Sequence, residues 1–148
     1  HESEVAAVQD HIGLYWMGNG YFNSGVLLFN LALCRQSGFF EQSIHYVARH
    51  HLFMPDQTAM NRTVKNKTML PERFNDQQRG FREGTVIKHF SQVVKWSPFP
   101  HFAKCKQWDF EKVHDTYKTH FFDPFFEIYL KDFPFASFGE PKPEKVNP

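Results

Sequence analysis

Two runs of this chain join an apolar stretch to side chains that bind ligands, and that pairing narrows the folds open to it. Tyr21-Phe22-Asn23-Ser24-Gly25-Val26-Leu27-Leu28-Phe29-Asn30 is the first, and Val86-Ile87-Lys88-His89-Phe90-Ser91-Gln92-Val93-Val94-Lys95-Trp96 is the second. Pro55-Asp56-Gln57 lies between them, heading a predicted helix. Short apolar runs bounded by turn residues read as buried strands. In an open α/β sheet, ligands bind in the crevice beyond the strand ends. Asn23, Asp56, Gln57, His89 and Lys95 are therefore expected to line one shared cavity.

The rest of the chain supplies the frame. Val5-Ala6-Ala7-Val8 predicts a buried strand with Asp10 at its exit. Gly13, Gly18, Asn19 and Gly20 mark a loop. Phe22 to Leu31 predicts a second buried strand, interrupted by Asn23, Ser24 and Asn30. After Ser37-Gly38, the residues Phe39, Phe40, Ile44, Val47, Ala48 and Leu52 share one face of a predicted helix. Asp56 is placed to N-cap a helix running to about Val64. Met69 to Asn75 reads as irregular, Asp76 to Gly84 as a loop, and Thr85 to Phe90 as a third strand. Pro98 and Pro100 break any continuation. Asp109 to Tyr117 and Asp123 to Leu130 predict two short helices, and Glu140 to Pro148 a frayed tail. This order is α/β. Three strands are few for a doubly wound sheet, so further strands are expected before His1, where the chain opens without a Met.

Composition removes several classes. A formal net charge of +1 gives no field that would drive binding to nucleic acid. The longest apolar stretch is too short to span a bilayer. Cys34 and Cys105 show no paired spacing, which suits two incidental thiols in a reducing compartment and leaves one disulfide open. His45, His50 and His51 lie in one predicted helix, at a spacing that does not align His45 with His50, so they read as solvated. Asn61-Arg62-Thr63 and Asn66-Lys67-Thr68 match the short N-glycosylation pattern, which often arises by accident. Phe121, Phe122, Phe125, Phe126, Tyr129, Phe133, Phe135 and Phe138 crowd the C-terminal third. Core packing is the favoured account of them, and peripheral contact with a membrane surface is the alternative.

The two runs, taken with Asp56-Gln57 and Asn61, with Leu70-Pro71 and Phe74-Asn75, and with His89-Phe90 and Lys95-Trp96, resemble glycosyltransferase family 8 over roughly residues 5 to 96. These are retaining nucleotide-sugar enzymes with a Rossmann-like GT-A fold. The resemblance implies that residues 1–100 are the C-terminal part of a GT-A catalytic domain. Residues 101–139 would be an aromatic helical segment packing on it, and 140–148 a tail. It also implies a UDP-hexose donor, a carbohydrate or glycolipid acceptor, Mn²⁺ or Mg²⁺ as cofactor, and a cytoplasmic location at the inner face of a membrane. The acceptor class it suggests is a cell-surface glycan, such as lipopolysaccharide core or a capsule precursor. The family's metal-binding Asp-x-Asp has no counterpart in this chain. The expectation is that it lies in a missing N-terminal half and that this chain alone is inactive.

The same resemblance assigns roles, each weighed against a plainer one. His89 matches the family's third protein ligand to the metal, and neutral imidazole suits Mn²⁺ beside carboxylates. The plain alternative is a hydrogen-bonded histidine at a strand end. Lys95 matches a cation that neutralises the leaving diphosphate, against a solvated surface lysine. Between them Gln92 replaces the family's Gly, and Trp96-Ser97 replace Pro-Trp. Asp56 matches a sugar-hydroxyl acceptor, against a helix N-cap. Gln57 matches the group beneath the anomeric carbon, against an exposed first-turn residue. Asn23 and Ser24 match donor-sugar contacts, against an amide satisfied by nearby backbone at a bulge. Asp10 matches a further sugar-hydroxyl acceptor. The alternative function is a non-catalytic nucleotide-sugar or carbohydrate-binding module on the same scaffold.

Overall fold

The computed structural model describes residues 2–11, 17–80, 82–90, 93–95, 98–99, 101–103 and 109–132. The chain divides into two compact units, residues 1–77 with 84–89, and residues 78–83 with 90–148.

The first unit is built on a mixed three-stranded sheet, ordered β2-β1-β3. β1 spans Val5–Gln9, β2 Phe22–Phe29 and β3 Lys67–Met69. β1 runs antiparallel to β2, pairing Val5 with Phe29 and Ala7 with Leu27, and parallel to β3, pairing Val5 with Lys67. The β1–β2 register then jumps. From Ala7 to Gln9 on β1, the partner on β2 moves from Leu27 all the way to Phe22. Asn23, Ser24, Gly25 and Val26 thus stand outside the regular ladder, and their backbone groups need other partners.

Three helices follow β2: α1 (Leu31–Ser37), α2 (Phe39–Arg49) and α3 (Pro55–Thr63). Asn30, expected inside the second strand, instead N-caps α1 by accepting from the Leu33 N–H. That cap ends the strand two residues early and starts a helix the apolar pattern concealed. Gly38 ends α1 and opens α2 at φ 69°, a left-handed conformation that suits glycine. The α2 face that packs inward is Phe39, Phe40 and Ser43, whereas Ile44 and Val47 are exposed. The core joins Val5, Ala7, Phe22, Cys34 and Phe39, with Leu27, Phe29, Phe40, Met60 and Val64 packed against it. The rings of Phe29, Phe39 and Phe40 meet at centroid distances of 5.2–6.1 Å. Cys34 is a buried free thiol, and burial, followed by the Glu4 charge, pushes its pKa up.

Two expectations are corrected. Lys67–Met69 is the third strand, although Met69 reads as the start of an irregular segment. Thr85 to Phe90, read as a strand, forms one parallel bridge between Asp76 and Lys88. The N–H groups of Val86 and Ile87 donate to the Arg73 carbonyl, those of Asp76 and His89 to the Ile87 and Asp76 carbonyls. Val86 and Ile87 stay exposed, because their β-branched character finds no sheet to join.

In the second unit, β4 (Val93–Lys95) pairs antiparallel with β5 (His101–Ala103). α4 (Phe110–Tyr117) is N-capped by Asp109, and α5 (Asp123–Asp132) follows, both close to their expected positions. Val113, Tyr117, Phe122 and Phe126 form a core with Phe90 and Phe110 against it. Phe110 and Phe126 stack at 4.0 Å. Phe121, Phe125 and Tyr129 are exposed. Phe133, Phe135, Phe138 and the expected tail lie outside the described residues, as do Gln92, Trp96, Ser97 and Cys105.

Candidate functional site

The irregular stretch of β2 is where the polar side chains gather. α3 lies along it and supplies the hydrogen bonds that a neighbouring strand would otherwise make. Gln57 and Asn61, four residues apart, share one helical face. Asn61 Oδ1 accepts from the Phe22 N–H at 2.9 Å, and its Nδ2 donates to the Phe22 carbonyl at 2.8 Å and the Gln57 carbonyl at 2.9 Å. Gln57 Oε1 accepts from the Ser24 N–H at 2.9 Å and from Ser24 Oγ at 3.3 Å. Tyr21 and Thr58 add a hydroxyl pair at 2.9 Å.

Asp10, just past β1, closes the network from beneath. Its Oδ2 accepts from Asn23 Nδ2 at 2.8 Å and from Gln57 Nε2 at 3.1 Å. Asn23 Oδ1 in turn accepts from the Gly25 N–H at 2.8 Å and Asn75 Nδ2 at 2.9 Å. A carboxylate on one side and N–H donors on the other leave each amide a single orientation. Asp10, Asn23, Gln57 and Asn75 are all buried, so losing any partner would strand polar atoms away from water.

The open side of this network carries Ser24 and Asp56. Ser24 Oγ donates to Asp56 Oδ2 at 2.9 Å in an exposed bond. Asp56 is not the helix cap: α3 begins with Pro55 at its first position, Met54 precedes it, and no side chain caps it. Its exposed carboxylate is left in the first turn, where the helix dipole favours negative charge.

His89 reaches the same strand. Its imidazole lies against Gly25, where a Cβ would stand 2.5 Å from Nδ1 and 2.7 Å from Nε2. No side chain fits there, so Gly25 is the only residue that admits the ring. A glycine inside a strand pattern often marks such an approach, and that signal was available in the sequence. Asp76, 1% exposed, anchors the His89 segment: its carboxylate accepts from Thr85 Oγ1 at 2.8 Å and pairs with Lys88 Nζ at 3.5 Å.

The structure thus brings Asp10, Asn23, Ser24, Asp56, Gln57 and His89 onto one stretch of β2. Lys95 belongs to β4, and its side chain lies outside the described residues. The bulge reading of Asn23 is realised alongside this gathering, since its oxygen does take the Gly25 N–H. Gln57 is not the exposed first-turn residue of the plainer reading, being 3% exposed. Asn61 and Asn75 belong to the matching text, but nothing in their spacing revealed that they hold the network together.

The family model for Glycosyl transferase family 8 matches residues 15–111, more than half of the 148-residue chain. Comparison with curated proteins and with solved structures finds no match.

Proposed function

The chain belongs to glycosyltransferase family 8, and on that premise we propose that its β2–α3 site handles the sugar of a UDP-hexose during retaining transfer to a carbohydrate acceptor. One observation carries the reading: Asp10, Asn23, Ser24, Asp56, Gln57 and His89 meet along a single irregular strand segment. Ser24 Oγ and the Asp56 carboxylate, on the exposed side, are suited to exchange their mutual hydrogen bond for bonds to sugar hydroxyls. Gln57 is held with its oxygen toward Ser24, so a ligand entering there meets a fixed dipole. Asp10 sits behind the two amides, and its role in this reading is to orient them.

A divalent ion fits the donor set in part. His89 offers one imidazole ligand of the kind Mn²⁺ accepts, and no group of three potential ligands among the described residues includes it. The remaining carboxylates would come from an Asp-x-Asp that these residues do not contain, which makes this chain alone inactive in our reading. When bound, such an ion supplies Lewis-acid neutralisation of the leaving diphosphate. The acceptor we propose is a cell-surface glycan met at the cytoplasmic face of a membrane. No helix among the described residues is long and apolar enough to cross one.

The saturation of the Gln57 amide also favours a second reading, a binding module whose amides serve structure alone. UDP-hexose hydrolysis and binding by the full-length protein with Mn²⁺ separate the two. The enzyme reading expects turnover that falls about 10²-fold in His89→Ala and in Gln57→Ala. Binding without turnover supports the module. Unchanged turnover in His89→Ala removes the metal role.

A further inference from the structure

The corner between α4 and α5 carries a second cluster, with no contribution from the β2–α3 site. His114 Nε2 lies 2.6 Å from Asp123 Oδ1, and His120 Nδ1 lies 3.0 Å from Asp123 Oδ2. The two imidazole rings are 4.1 Å apart between centroids. Among the described residues this is the one place where three such ligand atoms lie within 4.8 Å of one another. We propose that His114, His120 and Asp123 bind a divalent late first-row transition ion, with Zn²⁺ as the representative.

The donor set fits that class of ion. Two imidazoles and one carboxylate match the nitrogen and oxygen preference of Zn²⁺, and they do not match Mg²⁺ or Ca²⁺, which want oxygen. Zn²⁺ bonds of about 2.0–2.1 Å place tetrahedral donors roughly 3.3 Å apart. The two imidazole–carboxylate separations, 2.6 and 3.0 Å, are somewhat shorter than that and all three ligand atoms lie within 4.8 Å of one another, so side-chain adjustments of about an ångström reach it.

The backbone holds the donors ready. His114 sits in the last turn of α4, and Lys118 closes that helix with a left-handed φ of 52° while its N–H donates to the His114 carbonyl. The Asp123 N–H donates to the His120 carbonyl at 3.1 Å, which fixes His120 beside the first turn of α5. Buried neighbours pin both helices: Val113 precedes His114, and Phe122 precedes Asp123, both in one apolar cluster. The donors themselves remain accessible, with side-chain exposures of 30% for His114, 36% for Asp123 and 77% for His120. Three protein ligands on an open surface leave a coordination position for water or for an oxygen of a bound molecule. The ion would clamp the end of α4 to the start of α5.

Titration calorimetry of Zn²⁺ into chelator-treated protein tests this, with Co²⁺ absorption as a second readout. One Zn²⁺ per chain is expected, together with the visible bands of four-coordinate Co²⁺. His120→Ala and Asp123→Asn should each weaken Zn²⁺ binding by at least tenfold and abolish those bands. His120 is mostly exposed, so its variant should melt like wild type without metal and carries the test if Asp123→Asn perturbs α5. His50→Ala, a change at an exposed histidine elsewhere, should leave the affinity unchanged. Wild-type affinity in His120→Ala overturns the proposal, as does a loss in His50→Ala equal to that in His120→Ala.

Discussion

Replacing Gly25 with Ala tests whether the His89 ring really occupies the surface of β2. A Cβ at position 25 would come within 2.5 Å of Nδ1 and 2.7 Å of Nε2, and closer still to Cε1. Ordinary contacts begin near 3.4–4.0 Å, so the ring must leave or the strand must shift. Forcing a methyl into a packed site costs about 1–3 kcal/mol. His89 is only half-buried, and swinging it outward costs about 0.5–1.5 kcal/mol in rotamer strain. The expected destabilisation is therefore about 1–2 kcal/mol, toward the lower part of the overpacking range. A double-mutant cycle isolates it. In a His89→Ala background the three nearest clashes, all with the imidazole, are gone, and Gly25→Ala should cost much less. Urea unfolding followed by far-ultraviolet circular dichroism measures all four corners of the cycle. The coupling energy should be about 1 kcal/mol or more, well above the roughly 0.3–0.5 kcal/mol expected of independent sites. Additive single effects would refute the ring's placement and would separate His89 from the site.

Asn61→Ala removes one bond accepted from and one donated to Phe22 on β2, and one donated to the Gln57 carbonyl of α3, and leaves the Phe22 N–H without its partner. A loss of roughly 2–3 kcal/mol is expected by the same urea assay. Asn61→Asp, nearly identical in shape, should be at least as damaging because it turns a carboxylate toward two carbonyls, and a wild-type midpoint would disprove the assigned amide orientation. Glu4 gives a pH prediction. Burial raises its pKa, but hydrogen bonds from Ser37 and from the N–H groups of Lys65 and Asn66, with the Lys65 charge, outweigh burial and hold it below its ordinary value. A depressed folded pKa means that the stabilisation is fully present above the unfolded value and is lost as pH falls through the folded one. Acid unfolding of wild type should therefore steepen below about pH 4.5 relative to Glu4→Gln, with a constant difference near neutrality. Parallel curves down to low pH would contradict it.

Local signals and long-range ones were not equally legible. The helices at Phe39, Pro55, Phe110 and Asp123 could be read from capping, proline and periodicity, which act over a few residues. The ends of β2 and the α1 helix could not, because Asn30 as strand polar residue and Asn30 as N-cap look alike until the chain direction is known. Val86 and Ile87 have strand character, yet their segment forms only one isolated bridge, between Asp76 and Lys88, while β3 takes the place beside β1.

The site shows the same division. The sequence by itself determined which groups carry chemistry: amides, a serine hydroxyl, two carboxylates and an imidazole, in an order that marks the family. Tertiary structure alone decided what each one faces. Gln57 turned inward because β2 leaves its ladder at Asn23, and the Ser24 N–H then needed an acceptor that only α3 could supply. His89 came to rest on Gly25 because a backbone without a side chain was the surface open to a ring arriving from sixty-four residues away. Hydrogen bonds and steric contacts are short-ranged in space and indifferent to distance along the chain, so spacing could name the participants but not pair them.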